Sequence, residues 1–299
     1  MTAPLAMDTV PEAVAVGVTP AITRGVAARR SLWRRLLRRP GLVVSAMVIL
    51  FWIVAAIFGE RMAPYSASDQ SSAPFLGLSG DHWFGTDGFG RDVFSRVLVG
   101  SRQVLLVAPG ATLIAVVLGT LIGLISGYRR GWIDELIMRA FDAYAAIPYL
   151  MLVVLVVGIF GRSTWLLVGL IGVSYTPLIA RQVRAGAIVQ RERQYIEAAR
   201  LRGEGSLYIM TREILPNVAP IILVEGTMRL GYAVFTAASL SFLGLGAASG
   251  SPEWGAVIAE NRQNMQFAWW TVLFPALAII TFVVAVTLVA DNVREVAEG

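Results

Sequence analysis

Cysteine is absent from this 299-residue chain, and so is lysine. Without thiols there is no disulfide, no zinc–thiolate site and no cysteine nucleophile. Without lysine there is no G-x-x-x-x-G-K-[ST] phosphate loop, so if ATP powers this protein another chain binds it. Histidine occurs once, as His82 in a polar stretch. One imidazole makes no metal cluster or high-affinity soft-metal site, and the position reads as a solvated side chain. Charge is scarce as well: 15% of residues carry it, against roughly a quarter in soluble domains. No nucleophile–base set or metal set stands out, so the chain is not expected to be an enzyme or to hold a cofactor.

What fills the space is apolar. Hydrophobic residues make up 56% of the chain, with a mean hydropathy of +0.67, and they come in long runs. About 20 apolar residues cross a bilayer as a helix. Six stretches qualify: residues 41–58, 104–127, 133–160, 164–180, 218–245 and 269–290. The expected fold is therefore an all-α integral membrane domain of six transmembrane helices. No sequence repeat is evident.

The arginines orient it. With the N-terminus inside, 18 of the 25 fall in inner segments and six in outer ones (Arg61, Arg91, Arg96, Arg102, Arg162 and Arg262). This asymmetry places both termini in the cytoplasm. It also accounts for the net charge of +5 without any nucleic-acid partner. Residues 29–39, RRSLWRRLLRR, suit the surface of an anionic inner leaflet. Residues 1–23 lack the basic region of a signal peptide, so the first span reads as an uncleaved anchor and the leading Ala/Val/Pro-rich stretch as disordered. The layout is thus a cytoplasmic tail at 1–40, a six-helix membrane domain at 41–291 with an inner loop at 186–213, and a short cytoplasmic tail at 292–299.

That inner loop is the most informative segment. In YIEAARLRGEGSLYIMTREILPN, residues 195–217, a short helix carries the adjacent small residues Ala198 and Ala199, which allow another surface to approach closely. Gly203 and Gly205 end it. A second short helix leads to Pro216, suited to the first turn of the next span. The expected result is a helix-turn-helix projecting into the cytoplasm.

Glu197-Ala198-Ala199, then Gly203, then Ile214-Leu215-Pro216 resembles the EAA loop of binding-protein-dependent ABC importer permeases. The resemblance extends to His82-Trp83-Phe84-Gly85-Thr86-Asp87, to Gly90-Arg91-Asp92-Val93-Phe94-Ser95-Arg96, to Gly127-Tyr128-Arg129-Arg130-Gly131-Trp132 with Asp134 and Glu135, to Ser239–Gly246, and to Trp254-Gly255. Together these cover roughly residues 30 to 295. They match the C-type subunit of the dipeptide, oligopeptide and nickel permeases. Two departures stand out: Ala237 occupies a place where the family often has an acidic residue, and the tail 291–299 lacks the usual Asp-Pro ending.

The resemblance implies a type I importer permease in the bacterial inner membrane, paired with a homologous B-type permease. It further implies two ATPase subunits holding ATP and Mg, an extracytoplasmic binding protein that delivers substrate, and alternating access. The EAA loop would then be the coupling helix that docks on an ATPase. The transported molecule is expected to be a dipeptide or oligopeptide, with nickel or another chelated small solute as the alternative. An ion-coupled secondary transporter is the rival of another class, but those typically show inverted repeats and interrupted spans.

Four further groups merit attention. Gly119, Gly123 and Gly127 form a doubled G-x-x-x-G, which allows close helix packing, either with another subunit or within the chain. Glu225 and Arg229 lie one turn apart inside the fifth span, where charges are costly and typically face a cavity or each other. They are candidates for lining the translocation path and meeting a peptide's charged termini, or for a structural pair. Asp87, Arg91, Asp92 and Arg96 read as a salt-bridged helix shaping the outer side, and Arg139 with Asp142 as a structural pair.

Overall fold

The computed structural model describes residues 40–298, apart from 247 and 249; the N-terminal tail with its basic segment lies outside them. Among the described residues the regular secondary structure is helical, apart from a lone antiparallel bridge between Thr86 and Asp92. In order, the helices are α1 (Pro40–Met62), α2 (Val93–Arg129), α3 (Gly131–Ala145), α4 (Tyr149–Phe160), α5 (Thr164–Arg191), α6 (Gln194–Leu201), α7 (Ser206–Phe242), α8 (Trp254–Asn261) and α9 (Trp270–Glu298). Five of them, α1, α2, α5, α7 and α9, are long and apolar enough to cross a membrane.

The expected third span is not one helix. Its two parts, α3 and α4, meet at 83°, because Pro148 lacks an N–H and forces Ile147 away from helical backbone. With 12 residues, α4 is about 18 Å long, too short to cross an apolar layer of about 30 Å alone. Helix α3 runs across the direction of α4.

Other boundaries shift as well. Asp92 caps α2, its carboxylate accepting from the Ser95 N–H, so this helix begins eleven residues before 104 and shortens the connection from α1. Helix α5 continues to Arg191 rather than 180. Helix α7 begins at Ser206 and passes through a π-helical turn at Ile209–Ile214, which brings Pro216 into the helix without a separate turn. Helix α9 runs on through Glu298, its membrane-length apolar part being Trp270–Asn292.

Helix α2 packs most extensively on α5. A Cβ on Gly119, Gly123 or Gly127 would lie 2.7 Å from Ile179, 2.6 Å from the Ala180 carbonyl or 2.7 Å from Ala187. The glycine stripe is thus a backbone-to-backbone groove within this chain. Toward the arginine-rich end, Ile179, Val183 and Ala187 of α5 join Ile196, Ala199, Ile209, Ile214 and Val218 in one core cluster. A larger cluster around Trp52, Val97, Leu167, Leu240 and Trp254 serves the rest of the bundle.

Candidate functional site

At the arginine-rich end, α5 hands over to α6 at residues 192–193. Helix α6 ends in a Schellman turn: the Gly203 N–H donates to Arg200 O (2.9 Å) and the Glu204 N–H to Ala199 O (3.2 Å). Gly203 sits at φ +80°, a left-handed conformation that glycine adopts without strain. Ile196, Ala199, Ile209 and Ile214 are buried and pin the loop to α5 and α7. Of the two adjacent alanines, therefore, Ala199 is used by the chain's own core, while Ala198 and Glu197 face outward. Leu201 is 85% exposed and Leu207, in the first turn of α7, 71%, giving an apolar knob around the Gly203 turn. Leu215 is half-buried and Pro216 exposed.

Behind the knob, Arg184 of α5 grips Asp134 of α3 with two bonds of 2.6 Å, and the Ser126 hydroxyl of α2 donates to the same carboxylate. One acid thus ties three helices. The expected Arg139–Asp142 pair is absent. Arg139 reaches Glu135 (2.6 Å) and Asp142 accepts from Arg181 of α5 (2.7 Å), because the α3–α4 bend sets Asp142 beside α5.

Midway along α7, Arg229 Nη2 donates to Glu225 Oε2 at 3.1 Å, with both side chains mostly buried. The guanidinium lies 5.3 Å from the Tyr232 ring centre and 6.0 Å from that of Tyr175, within cation–π range. Its Nε is buried and has no hydrogen-bond partner.

At the opposite end, the charged segment is salt-bridged as expected, but only Arg96 of its four charges lies in a helix and all four are buried. Residues 85–92 form a turn that leads into α2, and Asp87, Arg91, Asp92, Ser95 and Arg96 are buried. Arg91 bonds Asp87 (2.7 Å) and Glu260 (2.6 Å). Arg96 Nη2 donates to Glu260 (3.2 Å) and to Ser251 O (2.9 Å). Thr86 is held too: its hydroxyl donates to Ala73 O and its carbonyl accepts from the Trp270 indole. Close approach explains two glycines, since a Cβ on Gly85 would lie 2.5 Å from Leu76 O and one on Gly90 would collide with Ser72 O. His82 is buried rather than solvated: its Nδ1 lies 2.9 Å from Asp92 Oδ1 and its Nε2 3.1 Å from the Ser72 hydroxyl. The loop folds back over the ring, and Asp92 gives it a partner there.

Beside this network, Glu253 caps α8 by accepting from the Ala256 N–H. Burial pushes its carboxyl up to about 7, opposed by bonds from Ser241 and from the Gly255 and Ala256 backbone. Trp254 donates to Val97 O (2.8 Å) and packs edge-on against Trp52. Sequence reasoning missed Glu253, Glu260 and the Asp134–Arg184 clamp. Only Glu253 had a visible signal, its place before the Trp254-Gly255 pair.

The described residues thus form a body of membrane-length helices with exposed Leu201 and Leu207 at its arginine-rich end and a charge-locked opposite end. Residues 119–296 match the family of binding-protein-dependent transport system inner membrane components. The chain belongs to that family. Residues 29–76 match the N-terminal transmembrane domain of oligopeptide transport permease C. The chain is 39% identical over 268 residues to the glutathione transport system permease protein GsiD of Pectobacterium atrosepticum, covering 89% of each. It is 41% identical over 265 residues to the GsiD of Escherichia coli O6:K15:H31, covering 88% of each. With the dipeptide transport system permease protein DppC of Alkalihalophilus pseudofirmus it shares 38% over 267 residues, 89% of this chain and 88% of the other.

Proposed function

We propose that this chain is the C-type permease subunit of an ABC importer for dipeptides and oligopeptides in the inner membrane, with both termini in the cytoplasm. It forms half of a translocation pathway and couples that pathway to ATPase subunits that bind ATP and Mg. The other half comes from a homologous B-type permease, and an extracytoplasmic binding protein delivers the peptide. The relatives' names, glutathione and dipeptide, support a peptide cargo over nickel.

The observation that carries the coupling role is the knob. Leu201 and Leu207 are large apolar side chains exposed on either side of the Gly203 turn, and adjacent exposed apolar side chains mark a protein contact. Glu197 and Ala198 lie beside them on the outward face, while Ala199, Ile214 and the Gly203 turn fix the helix to α5 and α7. In this reading the ATPases close on ATP, the knob moves with them, and the pathway switches from inward-facing to outward-facing. Ligand and nucleotide drive the switch only through contacts that differ between the two states. Glu225 and Arg229, at mid-depth on α7, line the path. The buried outer network is the rigid part of the face toward the binding protein.

The test is co-purification of the native chain and of Gly203→Asp from the native membrane, with ATPase assay and mass spectrometry. A side chain at φ +80° strains the turn that presents the knob by about 1–3 kcal/mol. A second permease and ATPases are expected with the native chain, and loss or uncoupling of the ATPases with the variant. A native chain that purifies alone and transports without ATP would overturn the proposal.

A further inference from the structure

The break between α3 and α4 opens a cavity of about 380 Å3 against α5 and α7, inside the ~300–1,000 Å3 range of small-ligand sites. Its apolar walls include Pro148, Leu152 and Leu178. Its polar groups are almost all hydroxyls. Tyr144 of α3 pairs with Ser174 of α5 (2.6 Å), and Tyr175 of α5 pairs with Thr236 of α7 (2.7 Å). Tyr149, at the first turn of α4, also lines the cavity, and its hydroxyl is buried with no hydrogen-bond partner. An orphaned buried hydroxyl costs about 1–3 kcal/mol. A second orphan, Arg229 Nε, stands behind Tyr175.

The charges around the cavity are answered apart from Arg229 Nε. Arg181 at its rim is bonded to Asp142, and Arg229 to Glu225. What remains on offer is a set of neutral hydroxyls, each able to donate or accept. That chemistry matches an amide, which presents one donor and one acceptor per residue whatever its side chain. It suits a free carboxylate or a metal ion poorly.

We infer that this cavity is a substrate-contact site of the pathway, in which Tyr149, Tyr175 and their hydroxyl partners hold the main-chain amide groups of the passing peptide. The inference rests on the peptide-importer reading and adds where and through which atoms the cargo is held. Tyr149 donates to a peptide carbonyl, and the Tyr175–Thr236 pair exchanges its internal bond for one to the peptide. Neutral bonds keep the hold weak, as conduction requires a bound molecule to leave as readily as it enters. Recognition of the main chain makes the site tolerant of peptide sequence.

The test uses the whole complex in proteoliposomes with its binding protein, ATP and radiolabelled dialanine. Tyr149→Phe and Tyr175→Phe each remove one oxygen. Each is expected to lower kcat/KM for uptake about 3- to 10-fold, the worth of one neutral hydrogen bond. Subunit assembly and ATP hydrolysis stimulated by the loaded binding protein are expected to stay at native level. A benzoylphenylalanine photocrosslinker at position 149 is expected to capture the label during turnover, in competition with unlabelled dialanine. Native uptake in both Phe variants, or no capture at 149 by a transporting complex, would overturn the inference. Failure of the underlying reading looks different: the unmodified complex would hydrolyse ATP yet carry neither dialanine nor glutathione.

Discussion

Single residues here are set by what surrounds them more than by their type. Glu253 is an acid held in an apolar place, with its carboxyl raised from 4.5 to about 7 by burial. The folded chain keeps that proton between these two pH values and the unfolded chain does not, so the folded state binds more protons and stability falls as pH rises. The contribution is fully present below pH 4.5 and lost as pH climbs through 7. The thermal midpoint of the complex should therefore decline between pH 5 and pH 8, and Glu253→Gln should flatten that decline. Gly123 is set by proximity: a side chain would meet the Ala180 carbonyl and Val183. Gly123→Leu should destabilise the subunit by about 1–3 kcal/mol through overpacking, seen as a lower unfolding temperature in detergent. The sequence announced the glycines, because their spacing is local. It did not announce the Arg91–Glu260 bond, whose partners are 169 residues apart, nor that His82 would be buried by its bond to Asp92.

At the scale of elements, long apolar runs are the most readable feature, since each run satisfies its own backbone and needs no distant partner. All five long spans were visible that way. The stretch 133–160 was misread as a single helix, although Asp134, Glu135, Arg139 and Asp142 crowd its first half and Pro148 divides it. Those charges make α3 a poor crossing helix, and the proline lets it turn aside. The Asp134–Arg184 clamp then becomes the main fastening of α3. Asp134→Asn should cost about 1.5–3 kcal/mol, the worth of a hydrogen bond to a charged group. Hydrogen exchange should accelerate in α3, while amides at the α2–α5 glycine groove keep their protection; equal acceleration in both would show that the clamp holds the whole bundle. The coupling loop was legible in pattern, but the exposed Leu201 and Leu207 were not singled out. Burial of one alanine and exposure of the next depends on how α6 lies on α5.

For the molecule as a whole, the charge-locked end and the knob end are joined by helices with few polar interruptions. Glu225 and Arg229 are the exception. Replacing both, as Glu225→Gln with Arg229→Gln, should leave the complex assembled and impair peptide uptake; native uptake by this variant would remove the pair from the pathway. Their position has a further meaning. The α-helical stretch Leu215–Phe242 has 28 residues, about 42 Å at 1.5 Å per residue, and its centre falls between Met228 and Arg229. A rod that tilts about its centre by about 10° carries each tip about 4 Å, in opposite senses, by the same length arithmetic. One tip carries on into the knob segment, while the other brings Ser241 against Glu253. A helix that rocks in this way is a seesaw, and its ion pair sits at the fulcrum, where charges in a membrane need travel least.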